Sequence, residues 1–318
     1  MIALNARAAA RPELGGVERW ARELRARAGY TALAPPAALS HRAGHAWEQG
    51  ALPVLARRAR VLVNPANLAP VAFPRNAVVI HDAAALRAPE WYSPLYVRWQ
   101  RTVLPLVARR ALRVVTVSSF SRDELRELLG VEAVVVPGGV DGRFVPGVAP
   151  AAGFDRPYVL TVASRTARKN LGALEVAARR LAGEGIDLVA AGGDRPQFRD
   201  GASTGSVRFL GPVPDADLPG LYAGALAFVL ASLHEGFGLT ALEAMACGTP
   251  VVAARAGALP ETCADAARYA DPRDPEGIAD AIEAAIGDDS LRAAGPRRAA
   301  TFSWERTVAE LDAVVRAL

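Results

Sequence analysis

Up to residue 136 the chain repeats one pattern: a short, mostly Val-rich apolar run, then an amphipathic stretch. The runs fall at 2–4, 61–63, 78–80, 114–117 and 134–136, and the first amphipathic stretch puts Val17, Trp20, Ala21 and Leu24 on one helix face. Continuous apolar runs, unlike alternating ones, belong to strands buried on both faces of a parallel sheet. Residues 137–155, PGGVDGRFVPGVAPAAGFD, have no periodicity and are dense in Gly and Pro, so they read as a connection between domains. The pattern then restarts, with runs at 158–162, 188–191, 207–210, 225–230 and 251–253. Helices are expected over 171–181, near 218–222, and over 239–247, 277–286 and 303–318. This grammar predicts an α/β protein of two Rossmann-like, doubly wound domains, residues 1–150 and 151–302, with ligand in an interdomain cleft at the carboxyl ends of the strands.

Composition supports two cores. A length of 318 residues exceeds one domain of roughly 150 residues. With 51% hydrophobic and 22% charged residues, disorder is excluded. Lys plus Arg exceed Asp plus Glu by 37 − 33 = 4, too small an excess for a dedicated nucleic-acid surface, so no nucleic-acid partner is expected. Cys247 and Cys263 lie in Ala-rich stretches without C-x-x-C spacing and read as reduced core thiols. The opening MIALNARAAARPE shows no signal-peptide pattern, and no run of about 18 apolar residues occurs, which together predict a cytoplasmic location. Every basic residue is Arg except Lys169, so 36 arginines accompany one lysine. A lone lysine against that bias invites a chemical explanation.

The most informative stretch is 232–251, SLHEGFGLTALEAMACGTPV. A strand ends at Leu230, Gly236 and Gly238 give a tight turn, a helix starts near Leu239, Gly248 suits a left-handed C-cap and Pro250 blocks continuation. The start of such a helix presents unpaired N–H groups and the positive end of its dipole, which suit a diphosphate. Glu235 precedes the helix and Glu243 lies one turn inside it. Carboxylates there would repel phosphate, which points to hydroxyl recognition, as on sugar rings. The plainer reading is a solvated helix residue at Glu243 and a favourable charge near the helix start at Glu235. On spacing alone both readings stand.

E-G-F-G-L-x-x-L-E-A-M-A-C-G-x-P-V resembles the signature of the retaining glycosyltransferases of family 4, which have the GT-B fold and use nucleotide-diphosphate sugars. The resemblance implies that Glu243 binds ribose hydroxyls, Glu235 the hydroxyls of the transferred sugar, and the turn of Gly236, Phe237, Gly238, Leu239 and Thr240 the diphosphate. Thr240 stands where Pro is commonest. Residues 162–171, VASRTARKNL, resemble the family's E-P-R-K-N loop, which implies that Arg168 and Lys169 neutralise the leaving diphosphate, with Thr166-Ala167 replacing Glu-Pro. Without the resemblance, the two cations could be solvated residues ahead of a helix. His81-Asp82 resembles the H-D motif, whose His contacts the transferred sugar; alone, it would be a hydrogen-bonded structural residue. Gly15-Gly16 resembles the glycine loop that approaches donor or acceptor. Residues 118–122 and 137–141 resemble the S-x-F-S-R and P-N-G-V-D elements, with Gly138 in place of Asn. The final helix, 303–318, is implied to pack back on the first domain.

The resemblance is strongest to mannosyl- and rhamnosyltransferase-like members of polysaccharide assembly. The implied partners are a nucleotide sugar, GDP-mannose ahead of UDP- and dTDP-sugars, and a glycan, lipid-linked or small-molecule acceptor. The rivals are a nucleotide-sugar epimerase or hydrolase of the same fold, and a catalytically silent sugar-nucleotide-binding subunit. No cofactor or metal is expected: His41 and His45 have no third ligand nearby, no D-x-D stands where a diphosphate-bound metal would need one, and neither G-x-G-x-x-G nor the P-loop pattern occurs. Arg19, Arg22, Arg25 and Arg27 on the first helix, or Arg101, Arg109, Arg110 and Arg113 later, could rest on anionic lipid, which would make the protein peripheral at the inner face of the membrane. The alternative for both clusters is a solvated face.

Overall fold

A computed structural model describes residues 1–11, 15–36, 39, 44–193 and 205–318. The chain divides into two units. Unit 1 comprises Met1–Pro89, Pro94–Gly139 and Ser303–Leu318, and unit 2 comprises Glu90–Ser93 and Val140–Phe302.

Unit 1 runs β1 (Ile2–Asn5), α1 (Gly16–Arg27), β2 (Thr31–Leu33), α2 (Gly44–Leu55), β3 (Val61–Asn64), β4 (Asn76–Val79), α3 (Ala84–Arg87), α4 (Pro94–Arg110), β5 (Arg113–Thr116), α5 (Ser119–Leu129) and β6 (Ala133–Val135). Its strands form one parallel sheet in the order β2-β1-β3-β4-β5-β6. Val61, Leu62 and Val63 are wholly buried, as a strand covered on both faces requires. α1 buries Trp20, Ala21 and Leu24. Its arginines differ in surroundings, and Arg25 is exposed. Arg19 is buried, Arg22 donates to the Arg11 carbonyl, and Arg27 pairs with Glu23 and Glu305.

Unit 2 runs β7 (Tyr158–Val162), α6 (Glu175–Gly183), β8 (Asp187–Ala191), β9 (Arg208–Gly211), α7 (Leu218–Gly224), β10 (Ala227–Leu230), α8 (Leu239–Ala246), β11 (Val251–Ala254), α9 (Leu259–Cys263), β12 (Arg268–Ala270), α10 (Pro275–Ala285) and α11 (Asp289–Ala299). Its sheet is also parallel, in the order β12-β11-β10-β7-β8-β9. The helix expected over 171–181 instead opens with a tight turn at Leu171–Leu174 before α6 takes over. Cys247 and Cys263 are buried and unpaired, and burial pushes both thiols up to about 12.

The last helix, α12 (Trp304–Arg316), belongs to unit 1. Ser303 caps it by accepting from the Arg306 N–H at 3.2 Å, Trp304 packs edge-on to Trp20 with ring centroids 6.4 Å apart, and Tyr30 donates to Asp312 at 3.0 Å. Gly139 makes the close approach possible, since a Cβ there would lie 2.2 Å from the Trp304 amide nitrogen. Among the described residues no helix is long and apolar enough to cross a membrane.

Candidate active site

In unit 2 the sheet order itself marks a site. From β7 the chain proceeds to β8 and β9 on one side, then returns to place β10, β11 and β12 on the other. The switch point therefore lies between β7 and β10, and in open α/β sheets the crevice outside the carboxyl ends of such strands takes the ligand. The loop after β7 carries Arg168 and Lys169 on a single tight turn, Ala167–Lys169; the loop after β10 carries Glu235 and leads into α8.

These two loops are tied together. Asn170, in the left-handed region at φ 55, donates from its side-chain amide to the Ala231 carbonyl at 3.1 Å and the Pro272 carbonyl at 2.7 Å. The Leu233 N–H donates to the Arg168 carbonyl at 2.9 Å, and Arg168 Nη1 donates to the His234 carbonyl at 2.7 Å. Lys169 Nζ then lies 2.6 Å from Glu235 Oε1 and Arg168 Nη1 3.3 Å from Oε2. All three side chains are nearly buried, at 13%, 13% and 10% exposure, so the cations are not solvated residues ahead of a helix. Burial alone would push the Glu235 carboxyl up, but Lys169, Arg168 and the Ser232 hydroxyl outweigh it and hold it down to about 2. The Thr166 hydroxyl is buried in the same loop, without a hydrogen-bond partner among the described residues.

Gly236, Phe237 and Gly238 turn the chain into α8. Gly238 has φ 96, and a Cβ on it would come 2.6 Å from Leu259. As the N-cap it offers no side chain, so the first amides of α8, at Leu239 and Thr240, precede the first intrahelical bond, from the Ala241 N–H to the Gly238 carbonyl at 3.0 Å. Gly257 secures the loop from behind. A Cβ there would lie 2.4 Å from the Glu235 carbonyl, which accepts the Ala258 N–H at 2.9 Å.

Glu243 is only 1% exposed, which rules out a solvated helix residue. Tyr222, itself fully buried, donates from its phenol to Glu243 Oε2 at 3.0 Å, and Thr249 Oγ1 bonds the Tyr222 carbonyl at 2.7 Å.

In unit 1, His81 follows β4 at the carboxyl edge of the sheet. Its Nε2 is 2.8 Å from the Pro65 carbonyl, which can only accept, so Nε2 carries the proton and the neutral ring presents Nδ1 as its acceptor. Burial lowers its pKa below the usual 6.5, against the Pro65 carbonyl, Asp82 and Glu18. Asn67 accepts the His81 N–H at 2.8 Å, Ser121 donates to its carbonyl at 2.9 Å, and Trp20 packs edge-on with ring centroids 5.8 Å apart. Gly15 N-caps α1, and its N–H donates to Glu18 at 3.1 Å; Gly16 is exposed, with open space where a Cβ would stand. The switch point of this sheet lies between β1 and β3, where Asn5 donates to Asn64 at 3.1 Å and to the buried Glu48 at 2.7 Å.

Arg168, Lys169, Glu235, the 236–240 turn and Glu243 thus gather in unit 2, while His81, Gly15 and Gly16 share one edge of unit 1. Asn170, in the stretch resembling E-P-R-K-N, and Ser121, in the one resembling S-x-F-S-R, support them, as do Tyr222 and Gly257, which have no local sequence signal for that role. His41 lies outside the described residues, and His45 contacts Glu48 at 3.4 Å.

Residues 156–288 match the family described as glycosyl transferases group 1. The chain is 34% identical over 257 residues to O-antigen chain mannosyltransferase B of Escherichia coli, across 73% of this chain and 67% of that protein. It is 38% identical over 228 residues to a D-inositol 3-phosphate glycosyltransferase of Geodermatophilus obscurus, covering 61% of this chain and about half, 51%, of that relative's length. Among solved structures, sucrose-phosphate synthase from Thermosynechococcus elongatus superposes with TM-score 0.77 at 20% identity over 99% of this chain and 98% of the other. Anabaena Alr3699/HepE in complex with UDP-glucose gives 0.74 at 18% identity over 100% and 99%. WaaG, a glycosyltransferase involved in lipopolysaccharide biosynthesis, gives 0.72 at 14% identity over 99% of each chain.

Proposed function

The chain belongs to the group 1 glycosyltransferases and has their GT-B fold, and on that footing we propose that it moves a sugar, with retention of anomeric configuration and without a metal, from a nucleoside-diphosphate sugar to a hydroxyl acceptor. The observation that carries the reading is the Lys169–Glu235–Arg168 cluster beside the open start of α8 at the switch point of unit 2. Two nearly buried cations and free helix amides are what a leaving diphosphate needs as negative charge moves onto it. The Glu235 carboxylate, ionised at any working pH, has lone pairs left after its two ion pairs to accept hydroxyls of the transferred sugar.

In this reading Glu243, oriented by Tyr222, takes the ribose hydroxyls. Arg168 and Lys169, with the amides of Leu239 and Thr240, take the diphosphate. His81, neutral and protonated on Nε2, offers Nδ1 to a sugar hydroxyl. Gly15 and Gly16 leave room for close backbone approach, and unit 1 supplies the acceptor side. Mannose is the favoured sugar because the Escherichia coli relative is a mannosyltransferase; GDP-mannose is placed ahead of UDP- and dTDP-sugars on the sequence resemblance.

Calorimetry with GDP, UDP, dTDP and their monophosphates tests the site. A diphosphate binding more tightly than its monophosphate is expected, and equal affinity for both would contradict the phosphate assignment. Product analysis with and without acceptors then separates transfer from the epimerase, hydrolase and silent-subunit readings: only transfer yields a glycosylated acceptor.

A further inference from the structure

We infer that the amino edge of the unit 1 sheet is a docking surface for an anionic lipid bilayer. The inference rests on surface charge and apolarity and holds whatever sugar the active site handles. In a parallel sheet all strands start at one edge, and the crossover helices return to that edge with their C-terminal ends. Neighbouring strands β3, β4 and β5 therefore gather Arg57, Arg58 and Arg60 ahead of β3, Arg75 ahead of β4, and Arg109, Arg110 and Arg113 around the start of β5. The gathering is direct. Arg75 Nη2 donates to the Arg57 carbonyl at 2.9 Å, and the Leu112 N–H to the Asn76 carbonyl at 2.8 Å.

Arg75 is half-buried and the other six are exposed, and among the described residues none of the seven is paired with a carboxylate. From residue 54 to residue 113 the acids are Asp82 and Glu90, and Asp82 lies beyond the opposite end of β4. The segregation decides the charge of the whole chain. Of 37 basic residues these seven leave 30, against 33 acidic ones, so the remainder is net negative.

Arginines at helix ends can serve structure alone, since they complement the dipole and the last carbonyls. Arg57 Nη1 does bond the Val54 carbonyl at 3.2 Å, and Arg60 Nη2 the Arg316 carbonyl at 2.7 Å. Helix capping leaves unexplained the aliphatic side chains exposed among them: Val54 at 58%, Leu55 at 50%, Leu112 at 46% and Leu106 at 43%. A nucleic acid would meet the charge and gain nothing from these four. A bilayer uses both, with lipid phosphates against the guanidinium groups and aliphatic side chains in the acyl boundary. Docking by this edge leaves His81, Gly15 and Gly16, at the carboxyl edge, clear of the lipid.

The test is co-sedimentation with vesicles of phosphatidylcholine alone or mixed equally with phosphatidylglycerol. The protein is expected to sediment with the mixed vesicles only, and less so in about 0.5 M sodium chloride. Each arginine near an anionic surface contributes about a fivefold factor in partition, so Arg58→Glu/Arg109→Glu/Arg113→Glu should lose about a hundredfold or more. Arg179→Glu/Arg273→Glu/Arg297→Glu, an equal charge change on exposed residues of unit 2, should retain binding. Leu55→Ser/Leu112→Ser should remove what binding survives high salt. All these positions are exposed, and an unchanged melting temperature checks that the variants fold. No sedimentation with mixed vesicles, equal losses in the two triple variants, or a defect confined to binding of single-stranded RNA would each overturn the inference.

Discussion

Lys169 Nζ lies 2.6 Å from Glu235 Oε1, joining a loop that leaves β7 to a loop that leaves the adjacent strand β10. With Arg168 counted, the cluster carries a net charge of one positive unit before any ligand arrives. Lys169→Ala removes a charge-assisted contact worth about 1.5–3 kcal/mol, so nucleoside-diphosphate affinity should fall about ten- to a hundredfold. Glu235→Gln leaves both cations and removes their competitor, so it should tighten binding of the diphosphate alone. Calorimetry on both variants checks the pair of opposite signs.

Glu235 also makes stability depend on pH. Its carboxyl titrates at about 2 in the folded chain against an ordinary value of 4.5, so the native state holds fewer protons than the unfolded state between those values. The stabilisation is complete above about 4.5 and is lost as pH falls through about 2. Its size is on the order of a few kcal/mol, since each tenfold difference in proton affinity between the two states is worth about 1.36 kcal/mol. Urea unfolding at pH 7 and pH 3 should therefore show a smaller loss for Glu235→Gln than for the native chain. Equal losses would mean that the carboxylate is not held in its charged form.

Tyr222→Phe removes the phenol that orients Glu243 and leaves the three side chains of the cation cluster in the sequence. Uniform binding contacts act on KM, whereas contacts that strengthen in the transition state act on kcat. The variant should raise donor KM several-fold with kcat nearly unchanged, as should Glu243→Ala more severely. Glu235→Ala and His81→Ala should chiefly lower kcat. Steady-state kinetics with varied donor separates the two classes.

Arg168, Lys169 and the start of α8 together supply positive charge at the diphosphate. Turnover is therefore expected to persist after dialysis against EDTA, with no stimulation on adding magnesium or manganese. Loss on chelation with recovery on adding either ion would show that the side chains are insufficient.

Sequence reading found the strands wherever burial covers both faces. The run at 61–63 became β3, and the run at 158–162 became β7. It missed β2 and β12, which are three residues long, lie at sheet edges and carry exposed side chains, so no apolar run announces them. It also missed α11, where Gly295 and Pro296 interrupt a stretch whose one large apolar residue is Leu291. In the site, Lys169 stood out by rarity and the 236–240 turn by its glycines. Tyr222 and Gly257 did not, and Ser121 lay in the stretch resembling S-x-F-S-R without a role of its own. Their contacts with Glu243, Glu235 and His81 span 21 to 40 residues and exist only once the sheets have formed.

The most direct test of the account is proton NMR of the anomeric signal during turnover of an α-linked nucleoside-diphosphate sugar with a glycan acceptor panel. An α-linked product appearing together with free nucleoside diphosphate is the expected result, and its rate should collapse in Lys169→Ala. A β-linked product would contradict retention, and donor consumed at the same rate with or without acceptor would contradict transfer itself.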